Sequence, residues 1–287
     1  MALSLADFLK LEYKPGAHVI GRGILPCGGK LFMAGSPKTN KSFLMLNIML
    51  DIVRGRRLFN ATYASGVPVL PVPQPRRVLY LEMEMGEQGL LERLKGKEGR
   101  PGLAVGIEAE GLPLFIQSRD TAMRLDTPEG RDYIESLVKA IQPEVVVFDP
   151  FAKFNLSNEN DSQEMGAVMR VADHIVEDFK TAVVFVHHIG KQDPDPAKQK
   201  RGGDRMRGSS ALYGDLDTLV EVTRLSSEHT PEPVLKLSFE LRRGEPIEDL
   251  FVRRLRDGTI EWLGDSFTFG GPDVKVSQWP KGKYRSL

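Results

Sequence analysis

The feature that most limits the fold is a set of apolar runs, rich in β-branched residues and separated by helical segments. These runs are KLFMAG (30–35), RRVLYLEME (76–84), PEVVVFDPF (143–151), AVVFVHH (182–188) and DTLVEVTRL (217–225). Strands without polar alternation are typical of parallel sheets that helices cover on both faces. Alternating patterns over 234–263, with turn signals near Gly244 and Asp257, indicate antiparallel strands. We therefore predict an α/β fold, with a mostly parallel central sheet flanked by helices and antiparallel strands at its C-terminal side.

Length and composition narrow the class of protein. With 287 residues we favour one large domain, residues 24–263, between an N-terminal segment, 1–23, and a C-terminal tail, 264–287. The 39 basic and 39 acidic side chains cancel, so binding to nucleic acid requires a local patch. The single cysteine, Cys27, excludes an internal disulfide and a multi-cysteine zinc site. Without a signal-peptide pattern or an apolar run of roughly 20 residues, we expect a cytoplasmic protein with no membrane partner.

Residues 35–42, GSPKTNKS, match the phosphate-binding pattern GxxxxGK[ST] except that Asn40 replaces the second glycine. The segment lies between a predicted strand and a predicted helix over 43–55, where the pattern binds the β-phosphate and Mg²⁺ of a nucleotide. Asparagine tolerates positive φ better than most residues. We therefore expect the loop to work, if weakened by the Asn40 side chain, against the alternative of a decayed site. The predicted cofactors are ATP and Mg²⁺, and the predicted nucleotide-binding residues are Gly35, Ser36, Pro37, Lys38, Thr39, Asn40, Lys41, Ser42 and Phe43.

Acidic residues end two other predicted strands. Asp149 ends VVVFD, where an aspartate of a phosphate-loop ATPase holds Mg²⁺, so Ser42 and Asp149 are the predicted metal residues. Glu82 and Glu84 end the run VLYLEME, and hydrolysis needs one carboxylate near the γ-phosphate to orient water. Strand alternation would place both on one side. Glu84 lies nearer the carboxyl edge and is preferred, with Glu82 as the alternative.

The order of these motifs resembles the RecA-like P-loop ATPases of the DnaB/RepA group, from about Ile24 to Gly258. The resemblance is strongest to small RepA-type hexameric replicative helicases, which consist of the motor domain alone. The segments that carry it are GSPKTNKSF, VLYLEMEMGEQGLLERL, VVVFDPF, VVFVHHIGK and DRMRGSSALYGDLDTLVEV. The resemblance implies that Glu84 activates water and that His188 senses the γ-phosphate. The alternative for His187 and His188 is a polar strand end, and for His187 we favour it.

The resemblance also implies a homo-oligomer, a hexameric ring in which a basic residue of one subunit completes the nucleotide site of the next. The matching position is Arg242, in SFELRRGEP. Glu240 stands where the group often has a basic residue, which is a departure from its pattern. The alternative is that Arg242 and Arg243 are exposed residues leading into a turn at Gly244.

A basic stretch follows His188, and flexible basic loops can hold the phosphates of a single strand. Its predicted nucleic-acid contacts are Lys191, Lys200, Arg201, Arg205 and Arg207. The alternative is a solvated charged loop. We therefore predict an ATP-hydrolysing ring motor on single-stranded DNA, a replicative helicase of a plasmid, phage or mobile element. The alternatives are an ATPase switch similar to RecA, RadA or KaiC, and a DNA-bound assembly protein without unwinding activity.

Overall fold

The structure is a computed structural model that describes residues 3–12, 18–156, 162–189, 214–227 and 229–265. Its strands are β1 (His18–Ile20), β2 (Leu25–Pro26), β3 (Lys30–Gly35), β4 (Val78–Glu82), β5 (Gly96–Lys97), β6 (Arg100–Pro101), β7 (Leu114–Ser118), β8 (Val145–Asp149), β9 (Ala182–His188), β10 (Thr218–Arg224), β11 (Val234–Leu241), β12 (Leu250–Arg254) and β13 (Ile260–Gly264). Its helices are α1 (Leu5–Phe8), α2 (Lys41–Arg54), α3 (Gly86–Lys95), α4 (Pro128–Ile141) and α5 (Ser162–Phe179).

Within these described residues, one sheet of nine strands has the order β13-β12-β11-β10-β3-β9-β8-β4-β7. The strands from β10 to β7 are parallel, and β11, β12 and β13 continue the sheet antiparallel. This confirms the predicted α/β fold, including the antiparallel C-terminal side. The predicted apolar runs form β3, β4, β8, β9 and β10.

The central strands β3, β4, β8 and β9 are buried on both faces, which explains why these strands lack polar alternation. Alternate residues of β3, Leu31 and Met33, belong to the core cluster that includes α2. Their neighbour Phe32 belongs to the cluster on the other face, which includes residues of α4 and α5. The sequence therefore places α2 on one side of β3 and the α4–α5 pair on the other.

The proline- and glycine-rich sequence of residues 63–75 is typical of a surface loop outside the core, but the structure places part of the segment in the core. The segment forms only an isolated bridge, Thr62 to Pro68. However, Val69, Leu70 and Val72 are buried in the α2-side cluster. Apolar side chains spaced between the prolines therefore anchor this irregular segment to the core.

Strand register brings the predicted site residues to one edge of the sheet. Gly35 at the end of β3 pairs with His188 at the end of β9, and Glu82 of β4 pairs with Asp149 of β8. Ligands of open α/β sheets gather at this carboxyl edge.

None of the described helices is both long and apolar enough to cross a membrane.

Candidate functional site

The loop between β3 and α2 has the backbone shape that the sequence suggested. Asn40 has φ 63° and ψ 25°, the left-handed conformation in which glycine is usual. Its side chain makes no capping hydrogen bond to α2. At the start of the loop, a Cβ on Gly35 would lie 2.6 Å from the carbonyl oxygen of Val222. The loop therefore needs glycine at Gly35 because of packing, and accommodates asparagine at position 40.

Lys41 lies inside the loop with its ammonium group buried. Its Nζ donates to the carbonyl oxygens of Gly35 at 2.8 Å and Ser36 at 2.9 Å, and lies 3.1 Å from Nδ1 of His188. Burial lowers the pKa of Lys41 to about 8, against the attraction of Asp149. The side chain is therefore still charged at neutral pH, beside the backbone that would surround a phosphate.

Asp149 is buried at the end of β8, and each of its oxygens accepts a hydrogen bond. Oδ1 accepts from the Ser42 hydroxyl at 3.3 Å, and Oδ2 accepts from the Tyr80 hydroxyl at 2.8 Å. Burial raises the pKa of Asp149 to about 6; the bonds from Tyr80 and Ser42 oppose this effect, and Glu84 and Glu82 add to it. The carboxylate is therefore charged at neutral pH.

The oxygens of Ser42 and Asp149 fit the hard ligands that Mg²⁺ prefers. In the described part of the chain, no group of three or more His, Cys, Asp or Glu residues could hold a metal ion. Mg²⁺ usually keeps waters and binds through one or two carboxylates plus substrate phosphates. A magnesium ion at Ser42 and Asp149 would therefore depend on a bound nucleotide.

Glu82 and Glu84, the two candidates for activating water, lie in different environments. Glu82 is buried, and its carboxylate accepts from the backbone N–H of Glu84 at 2.6 Å, of Gly86 at 2.9 Å and of Met85. It also accepts from the Ser118 hydroxyl at 3.1 Å. Glu82 thus caps the N-terminus of α3, and both oxygens of its carboxylate already accept hydrogen bonds within the protein.

Glu84 is the exposed carboxylate of the pair. The strand ends at Glu82, so strand alternation does not extend to Glu84, contrary to the expectation that both share one side. Its charge contributes to the pKa values of Lys41, Asp149 and His188, which places it among these groups. This geometry favours Glu84 over Glu82 for orienting water.

The two histidines at the end of β9 have different surroundings. His188 is half-buried beside Lys41, and burial followed by the Lys41 charge lowers its pKa. The ring of His187 is buried and packs edge-on at 5.9 Å from the ring of Phe32 and 5.7 Å from that of Phe151. This packing agrees with a structural role for His187 and leaves His188 as the histidine at the phosphate loop.

Arg242 lies at the edge formed by the amino ends of the parallel strands, whereas its own phosphate loop lies at the edge formed by their carboxyl ends. The preceding residue, Leu241, pairs with Thr218, which pairs with Leu31 at the start of β3. At about 3.3 Å per residue, β3 separates this edge from the loop by roughly 13 Å. The Arg242 guanidinium donates to the carbonyl oxygen of Gly214 at 2.7 Å. The structure therefore does not bring Arg242 to the other site residues of its own chain.

Phe43 has neighbours that the sequence did not reveal. The guanidinium carbons of Arg93 and Arg254 lie 4.3 Å and 5.0 Å from the centre of its ring. A Cβ on Gly258 would be 2.9 Å from the ring, and Asn47 of α2 donates to the Gly258 carbonyl oxygen at 2.9 Å. The first turns of α2 are thus fixed to the β12–β13 turn. These arginines come from distant segments, so no local pattern could have identified them.

Tyr80 is a second residue that the sequence analysis missed. A signal was present in the sequence, because a buried tyrosine needs a partner for its hydroxyl and this one lies between two leucines of a predicted buried strand.

The predicted nucleic-acid contacts lie outside the described residues. They are Lys191, Lys200, Arg201, Arg205 and Arg207.

The parallel sheet and the loop between β3 and α2 define the class of the protein as a P-loop NTPase. A model of the AAA_25 family, an AAA domain, matches residues 1–194, and the chain belongs to this family. Among curated proteins, none matches the chain. Membership of this family supports the general conclusion that the protein is an ATPase.

Proposed function

We propose that the chain is a RecA-like ATPase of the DnaB/RepA group, a cytoplasmic ring motor that moves on single-stranded DNA. The observation that carries the proposal is the convergence of four functional groups at one sheet edge. These are the phosphate loop, the Lys41 ammonium, the Ser42–Asp149 pair and the exposed Glu84. Together they provide what ATP hydrolysis needs: phosphate binding, a metal site and a base for water.

Phosphate binding rests on the loop and on Lys41. The N-terminus of α2 directs backbone N–H groups and the positive end of the helix dipole towards the loop. Lys41 adds a charge that is close to the loop carbonyls of Gly35 and Ser36 and can turn to phosphate oxygens. Mg²⁺, when bound, neutralises charge on the β- and γ-phosphate oxygens. Ser42 and Asp149 are the residues that would hold it.

Water activation rests on Glu84, the exposed carboxylate that interacts with Lys41, Asp149 and His188. An exposed carboxylate can accept a proton from water, whereas Glu82 uses its oxygens to bind the start of α3. His188 lies 3.1 Å from Lys41 and precedes the basic stretch in the chain. A change at the phosphates would therefore reach the proposed DNA contacts through His188.

The proposals that the protein forms a ring and moves on DNA rest mainly on the order of the motifs in the chain. The position of Arg242, about a strand length from its own loop, fits a group that acts on the nucleotide of a neighbouring subunit. The proposed DNA contacts, Lys191 and the basic residues from 200 to 207, begin just after the strand that carries His188. On this basis we place the protein among replicative helicases of plasmids, phages or mobile elements.

Turnover of ATP with and without single-stranded DNA, together with unwinding of a forked duplex, tests the proposal. The wild type should hydrolyse ATP faster with DNA and open the fork, and Lys41→Ala should lose ATP binding. Lys139→Ala is the matched control, because Lys139 lies on α4 with 62% of its side chain exposed. Turnover without unwinding would indicate a switch instead of a motor. Absence of turnover would indicate an assembly protein.

The proposed DNA contacts are tested separately by replacing Lys200, Arg201, Arg205 and Arg207 with alanine. Single-strand affinity should fall and depend less on salt, because fewer phosphates are neutralised. Basal ATP binding should be unchanged. Identical DNA affinity and salt dependence would identify the stretch as a solvated loop.

A further inference from the structure

Tyr80 is a buried polar residue in the middle of β4 that the functions proposed above do not use. Its side chain has no exposed surface, and its strand neighbours Leu79 and Leu81 are apolar and buried. Its hydroxyl donates to Oδ2 of Asp149 at 2.8 Å. A phenylalanine would fill the same apolar space without a hydroxyl to desolvate, so packing alone does not account for the tyrosine.

The hydrogen bond from Tyr80 to Asp149 runs between adjacent strands and towards the carboxyl edge of the sheet. Tyr80 pairs with Val147 on the adjacent parallel strand, so Asp149 lies two residues closer to the carboxyl edge on the same face. The tyrosine side chain spans this offset. Because it occupies Oδ2, the other oxygen, Oδ1, is the one that lies 3.3 Å from the Ser42 hydroxyl. One oxygen of the Asp149 carboxylate thus accepts a hydrogen bond from β4, and the other accepts one from the hydroxyl of Ser42 beside the phosphate loop.

We propose that Tyr80 is a positioning residue, which fixes the Asp149 carboxylate so that Oδ1 is presented beside Ser42 to the magnesium ion of a bound nucleotide. The inference rests on the proposed function, because it assumes that Ser42 and Asp149 hold Mg²⁺. Hydrogen bonds to metal-binding carboxylates set their orientation, and removing them typically weakens metal affinity or activity by about 10–100-fold. Tyr80 itself does not touch the nucleotide or the ion.

The test compares wild type and Tyr80→Phe for binding of a fluorescent ADP analogue with Mg²⁺ and with EDTA. Tyr80→Phe should weaken binding with Mg²⁺ by about 10-fold or more and leave binding in EDTA unchanged. A purely structural hydroxyl would shift both affinities together or neither, and either result would overturn the proposal. Manganese binding to the nucleotide complex, followed by electron paramagnetic resonance, should weaken by the same factor.

Tyr133→Phe is the matched control. Tyr133 lies on α4, outside the strands that carry the candidate site, and its hydroxyl also donates to an aspartate, Asp120, at 2.7 Å. This variant should leave both affinities at wild-type values. If the wild type itself gains no affinity from Mg²⁺, the proposed metal site fails; if it gains affinity and Tyr80→Phe gains equally, only the role of Tyr80 fails.

A second measurement covers the case in which Tyr80→Phe does not fold. 3-Fluorotyrosine at position 80 keeps the shape and hydroxyl of the residue. Its ¹⁹F resonance should move when Mg²⁺ is added to the ADP complex, because Tyr80 shares the Asp149 carboxylate with the ion. An unchanged resonance would overturn the proposal.

Discussion

Replacing Asn40 with alanine tests whether the phosphate loop depends on a left-handed residue before Lys41. The Asn40 side chain makes no capping hydrogen bond, so the cost of the substitution comes from the backbone, at φ 63° and ψ 25°. This conformation costs a residue with a Cβ roughly 1–2 kcal/mol, and it costs asparagine less than most other residues. Asn40→Ala should therefore lower the free energy of unfolding by about 1 kcal/mol, or roughly 2–4 °C in Tm for a domain of this size.

Glycine at the same position should behave differently. It removes the Cβ penalty but makes the unfolded chain more flexible, an effect of about 0.4–1 kcal/mol in the opposite direction. The two contributions nearly cancel, so the Tm of Asn40→Gly should stay close to that of the wild type. Because the loop keeps its shape and loses a side chain that could crowd the phosphate, ATP binding should be similar or tighter.

Thermal unfolding and nucleotide titration of both variants measure these effects. Asn60→Ala is the control, because Asn60 also has a positive φ, 55°, but lies outside the phosphate loop. It should lower Tm without changing nucleotide affinity. If Asn40→Ala were as stable as the wild type and bound ATP equally well, the left-handed conformation would not be required. ATPase activity that appears only in Asn40→Gly would mean that the natural loop is inactive.

Three further predictions concern the candidate site and the proposed ring. Glu84→Gln should keep ATP binding and lose roughly 10²–10⁴-fold in turnover, whereas Glu82→Gln should cost about 1.5–3 kcal/mol of stability because an amide faces N–H donors. Loss of turnover in a fully stable Glu82→Gln variant would reverse these roles. The pH profile of kcat/KM for ATP should fall below about pH 6, as Asp149 gains a proton, and above about pH 8, as Lys41 loses one; a flat profile from pH 5 to 9 would contradict this. Arg242→Ala mixed into wild-type protein should reduce turnover by more than its share of subunits, and a strictly proportional loss would exclude action on a neighbour.

The strands were predictable from the sequence where burial on both faces left a continuous apolar run. The edge strand β7 was not among them, because an edge strand is only partly covered, and Phe115 and Ile116 are exposed. The end of the predicted strand VVVFD also indicated that Asp149 would lie near the loop, since parallel strands share a carboxyl edge. The place of His188 at the loop was expected from the family resemblance.

The details of the site depend on contacts between distant segments, which local patterns do not encode. The choice between Glu82 and Glu84 required knowing that β4 ends at Glu82 and that α3 begins four residues later, at Gly86. Likewise, Arg254 reaches Phe43 from a strand some 200 residues away, which only the folded sheet reveals.

The link between α2 and the β12–β13 turn determines which piece of the chain can fold as a unit. Asn47 bonds both Gly258 and Ile260, well beyond residue 194, where the family match ends. β10, the parallel neighbour of β3, also follows that residue. A fragment cut at residue 194 would leave one side of β3 without its strand partner and the Phe43 ring without the turn that covers it. The nucleotide site and the antiparallel strands should therefore unfold in one cooperative transition, and amide hydrogens of α2 should exchange with solvent together with those of β12.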